Sequence, residues 1–118
     1  MADIILSIRP RWAALILGGL KTIEVRRVLP KRLHEGDTIY LCHDAKLVGH
    51  VEVAKIDRDV YWPTLRDSTL LETCLTREEL RTYAIGKPLI GLIHLKNPYV
   101  YETPKDYHGS TVQNFIYY

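Results

Sequence analysis

Cysteine is scarce in this chain of 118 residues: only Cys42 and Cys74 occur, far apart and with no Cys-x-x-Cys spacing. A disulfide framework is therefore not expected, and a reducing, cytoplasmic setting is. Cys42 sits in an apolar run and reads as a small core residue. Long hydrophobic runs are also missing, so no segment is expected to cross or anchor to a membrane. The opening Met1-Ala2-Asp3-Ile4-Ile5-Leu6-Ser7 has no basic residues ahead of its apolar ones. It is expected to be a first strand and not a signal peptide. Ligand spacing is absent among the histidines His34, His43, His50, His94 and His108, so neither a metal nor another cofactor is expected. Repeats, linkers and low-complexity tracts are absent as well, and residues 1–118 are expected to form one domain.

The residues that are present are typical of a globular core. Hydrophobic residues make up 47% and charged residues 25%, enough for one core without staples. The net charge of +2 is unevenly spread. Residues 1–32 hold seven basic side chains (Arg9, Arg11, Lys21, Arg26, Arg27, Lys31 and Arg32) against Asp3 and Glu24, a local excess of +5. A basic end on a near-neutral chain points to an anionic partner, of which nucleic acid is the commonest.

The hydrophobic pattern predicts a strand over residues 4–8. Pro10 then fits the first turn of a helix whose buried face carries Trp12, Leu15, Ile16 and Leu20. Gly18 and Gly19 end it, and a second strand runs from Lys21 to Arg27. Thr38 to His43 and Lys46 to Lys55 form a strand pair around a tight Asp44-Ala45 connection. Along the second of these, Leu47, Gly49, Val51 and Val53 share a face. Residues 57–75 read as irregular or partly helical. Thr76-Arg77-Glu78-Glu79 is a capping-box signature opening a helix to about Tyr83. Pro88 to Leu95 is an apolar strand. Asn97-Pro98 and Thr103-Pro104 punctuate the segment after it, and Val112, Phe115, Ile116, Tyr117 and Tyr118 suit a last strand. Many short strands with two inserted helices predict a small mixed barrel of the α+β class.

The second strand concentrates the chemistry. Alternation places Thr22, Glu24 and Arg26 on one face, with Ile23 and Val25 directed to the core and Lys21 at the mouth. Arg9, Lys21, Arg26 and Arg27 can hold phosphates. Glu24 cannot. Its carboxylate suits the amino group of a cytosine or the imino edge of a guanine; equally, it can pair with Arg26 or Lys21 and hold this face in shape. A partly desolvated Lys21 beside Glu24 also offers a base or nucleophile and a proton relay, making the two candidate catalytic residues. Thr22 or a main-chain N–H of the Gly19–Lys21 turn can supply an oxyanion donor. His43 lies at a hairpin end and can act there as a general acid or base. Tyr61 and Trp62, in the irregular stretch, can stack on bases as a lid.

Ser7-Ile8-Arg9-Pro10, a helix, and then Gly19-x-Lys21-Thr22-x-Glu24-x-Arg26 resemble the start of ASCH domains in the PUA-like superfamily. The order of the later strands and the ending Gln113-Asn114-Phe115-Ile116-Tyr117 extend the resemblance over most of the chain. It implies a PUA-like mixed β-barrel with flanking short helices and a cleft beside the first helix. The partner it implies is RNA or a modified nucleoside, held by Arg9, Lys21, Thr22, Glu24, Arg26, Arg27, His43, Tyr61 and Trp62. Some members hydrolyse N4-acetylcytidine, and nuclease activity has been proposed for others. The hydrolase branch uses a lysine, a threonine and a glutamate. The lysine matches Lys21, but the threonine position holds Glu24, and a gapless alignment puts Thr73, not Glu72, at the glutamate position. The expected function is thus RNA or nucleoside binding. A small amidohydrolase is the alternative, and a ribonuclease or protein-interaction module stands behind it.

Overall fold

The computed structural model describes residues 3–107 and 114–115. In chain order its elements are β1 (Asp3–Ser7), α1 (Pro10–Leu17), β2 (Ile23–Arg26), β3 (Thr38–His43), β4 (Lys46–Tyr61), a 3-10 turn (Trp62–Thr64), α2 (Asp67–Thr73), α3 (Arg77–Tyr83), β5 (Leu89–Asp106) and β6 (Asn114–Phe115). The strands form a mixed six-stranded sheet in the order β2-β5-β4-β3-β1-β6. β1 runs parallel to β3 and β6, and the β2–β5, β5–β4 and β4–β3 pairs are antiparallel. This corrects the expected barrel. Among the described residues no ladder joins β2 to β6, so the sheet stays open. The edges of the order, β2 and β6, are separated by four strands.

Period-two burial builds the core. Ile4 and Leu6 of β1, Ile39 and Leu41 of β3, and Val51 and Val53 of β4 are buried on one side, where they meet Trp12, Ala13 and Ile16 of α1. Helix α1 ends earlier than the apolar spacing implies. Its last residue is Leu17, and Leu20, expected in the core, is 69% exposed. Gly49 on β4 admits the helix. A Cβ there would lie 2.5 Å from the Tyr99 carbonyl and 2.7 Å from a Leu17 methyl.

The strands β4 and β5 are longer than sequence signals allow. β4 continues past Lys55 to Tyr61, because the segment pairs with the start of β5 as far as Tyr61 opposite Leu89. β5 passes through both proline punctuations. Asn97, at φ 52°, and Pro98 lie where the register shifts between His50–Tyr99 and Glu52–Lys96. Thr103-Pro104 falls at a second shift, between Gly49–Val100 and Leu47–Lys105. A bulge tolerates a residue without an N–H and bends the strand without ending it. In the expected last strand, Val112, Ile116, Tyr117 and Tyr118 lie outside the described residues.

Candidate functional site

The turn after α1 sets the site. Gly19 takes φ 81°, and the N–H groups of Leu20 and Lys21 both donate to the Leu15 carbonyl. The chain then enters β2, which is bonded at one end to α2 and β5: Thr22 N–H donates to Glu72 O, and Leu95 N–H to Thr22 O. The expected face of β2 is real, but it is not solvated. Lys21 and Glu24 are each 1% exposed and Arg26 is 2% exposed, because α2 and α3 cover the strand face that faces away from Ile23 and Val25.

Glu24 lies between two cations. Its Oε2 accepts from Arg26 Nε at 2.8 Å and lies 2.8 Å from Arg26 Nη2. Its Oε1 stands 3.6 Å from Lys21 Nζ and makes no hydrogen bond among the described residues. Lys21 Nζ donates to the Thr73 carbonyl and sits 5.0 Å from the centroid of the Trp12 ring. Burial is the main influence on this amine and holds its pKa below the ordinary lysine value, with Glu24 and Cys74 pulling the other way. So Lys21, Glu24 and Arg26 converge, while Thr22, half-buried, turns to α2 and donates to Glu72 Oε1 at 3.1 Å. Thr73, fully buried, is the residue of this segment whose carbonyl meets Lys21.

A hollow of about 540 Å³ opens beside Trp12, the ring that Lys21 approaches. Arg9, Arg11 and Trp12 line it from the start of α1, and Leu75, Thr76, Glu78, Glu79, Thr82 and Tyr83 from the α3 side. The Arg11 guanidinium sits 4.4 Å from the Trp12 ring centroid, a cation–π distance. α3 is fixed by a complete capping box: Thr76 Oγ1 accepts from Glu79 N, and Glu79 Oε1 accepts from Thr76 N. Tyr83, at its end, accepts from Arg27 N at 3.0 Å. Burial pushes the Tyr83 phenol up, against the Arg27 N–H and the Arg26 charge.

Of the residues expected to bind, Arg9 lines the hollow directly, and Lys21, Thr22, Glu24 and Arg26 do not. Lys21 lies against Trp12, which does. The exposed Arg27 side chain lines a neighbouring hollow. His43 ends β3 beside Asp44, 3.4 Å away, and does not line the hollow. Neither do Tyr61 and Trp62, since Tyr61 closes β4 opposite Leu89 and Trp62 is half-buried against the core. Sequence reasoning missed Tyr83; Trp12, expected in the core, is there at 7% exposure, and the edge it keeps at the surface lines the hollow. A signal existed: Thr76, Glu79, Thr82 and Tyr83 recur at helical spacing and mark one polar face of α3.

The sequence matches the ASCH domain over residues 6–114. No curated protein matches it. Among solved structures, the chain is similar to ASCH from Zymomonas mobilis, with TM-score 0.73 and 21% identity over 86% of this chain and 74% of that one. A point mutant of the Zymomonas mobilis protein gives TM-score 0.74 and 22% identity, covering 82% of this chain and 70% of that chain. The hypothetical protein PH0355 aligns with TM-score 0.62 and 18% identity, over 81% of this chain and 98% of the other. These likenesses speak to the fold, and the match over nearly the whole sequence speaks to the family: the chain belongs to the ASCH domain family.

Proposed function

We propose that this ASCH domain binds a base of single-stranded RNA, or a nucleoside derived from it, in the hollow between α1 and α3. One observation carries the reading: two arginines, Arg9 and Arg11, and two aromatic rings, Trp12 and Tyr83, line a single cavity of about 540 Å³. That volume falls in the range of small-molecule sites. Aromatic rings and guanidinium planes stack on bases, and guanidinium groups also neutralise phosphates. The buried Lys21 supports Trp12 from behind, and Glu78 and Glu79 on the wall offer acceptors to the amino or imino edge of a base.

The Lys21–Glu24–Arg26 triad argues for binding over hydrolysis. Lys21 is 1% exposed and its ammonium is engaged by the Thr73 carbonyl and Glu24. A nucleophile or base must reach the reacting atom. The expected result is that incubation with N4-acetylcytidine releases no cytidine.

A salt titration of binding to short single-stranded RNA tests the reading. Arg9→Ala and Arg11→Ala should each weaken binding and lower the slope of log K against log salt by about 0.7 for each phosphate contact removed. Unchanged affinity in both variants refutes it.

A further inference from the structure

We infer that the ligand is an oligonucleotide and not a free nucleoside, because a second, cationic hollow continues the first. This rests on the base-binding reading of the first hollow. The second hollow, about 490 Å³, is lined by Arg27, Arg58 and Lys87 over an apolar floor that includes Leu29. The two hollows meet at one contact, where Tyr83, on the wall of the first, accepts from the main-chain N–H of Arg27, on the wall of the second.

The chemistry of the second hollow suits a phosphodiester. Three cations face one carboxylate, Asp59. Arg58 is already engaged, since its Nη2 donates to the Leu33 carbonyl at 3.1 Å and lies 3.3 Å from that of Pro30. It therefore holds the loop that walls the hollow. Arg27 and Lys87 form no ion pair among the described residues. The hollow has a floor because Leu29 lies directly on Gly91 of β5, in space that a Cβ at that position would fill. Aromatic side chains able to stack a base are absent from its walls. A strand with one base in the first hollow beside Tyr83 would thus run past the Tyr83–Arg27 contact and lay its next phosphates beside Arg27 and Lys87.

The test compares two probes on the intact chain: the common ribonucleosides by calorimetry, and a labelled single-stranded RNA of about eight nucleotides by anisotropy. Wild type should bind the RNA more tightly than any nucleoside. Lys87→Glu should weaken the RNA at least fivefold, lower its salt slope by about 0.7, and leave nucleoside affinity unchanged. Arg27→Glu should reduce RNA binding in the same way. Unaltered melting temperatures show that these surface variants remain folded. RNA affinity and salt slope unaffected by both charge reversals overturn the second hollow and leave the first standing. Absence of binding by every nucleoside and by the RNA overturns both.

Discussion

Glu24 is the residue on which the site's architecture turns. It is buried between two buried cations, so its ionised form compensates charge that water cannot reach. Removing that compensation leaves Lys21 and Arg26 facing each other in low dielectric, a cost of about 3–5 kcal/mol for a broken buried pair. Glu24→Gln should therefore lower the urea midpoint sharply. Lys21→Met should cost much less, because Glu24 keeps Arg26. Equal losses would mean that the triad does not act as an ion cluster. A second residue-scale expectation concerns Asp57, whose Oδ2 lies 2.7 Å from His94 Nε2. Burial opposes its ionisation, but His94 and Lys55 together outweigh burial and hold its pKa below 3.8. A depressed carboxyl stabilises the fold above its ordinary value and loses that contribution as pH falls through the folded one. Asp57→Asn should thus destabilise the protein at pH 6 and flatten the part of the acid-induced loss that lies below about pH 4. Urea melts at several pH values measure this, and an unchanged acid limb contradicts it.

Among the elements, α3 contributes the most to the site for its length. Its seven residues carry Glu78, Glu79, Thr82 and Tyr83 into the hollow, and its capping box fixes where it begins. Thr76→Ala should cost about 1 kcal/mol and weaken ligand binding with it; a stability change without a binding change would detach α3 from the site. This helix was legible in the sequence because capping is local chemistry. So were β3 and the strand at residues 4–7, whose buried apolar residues recur every second position up to Leu41. Less legible were β4 and β5. The bulges at Asn97-Pro98 and Thr103-Pro104 resemble strand ends until the partner strand is known, and pairing across the sheet is not written in either segment alone. The candidate site divides in the same way. The Lys21–Glu24–Arg26 convergence comes from spacing along one strand, whereas its burial depends on α2 and α3, more than forty residues away. The role of Tyr83 depends on that same long-range contact.

At the scale of the whole molecule, the basic bias of residues 1–32 is distributed by the fold. Lys21 and Arg26 are turned inward against Glu24. Arg9 and Arg11 face the first hollow, and Arg27 faces the second. The outer side of the sheet offers a competing surface. There His50 stacks on Tyr99, with ring centroids 5.2 Å apart, and touches Tyr40 and Tyr101 edge-on, while Tyr99 is 58% exposed. Aromatic rings on a sheet can also stack on bases, so the two surfaces make opposed predictions for where RNA lands. An amide and indole chemical-shift titration with a short single-stranded RNA decides between them. Binding in the hollow between α1 and α3 predicts that the largest changes fall on Arg9, Arg11, the Trp12 indole, Thr82 and Tyr83. Changes confined to Tyr40, His50, Tyr99 and Tyr101, or none anywhere, would contradict it.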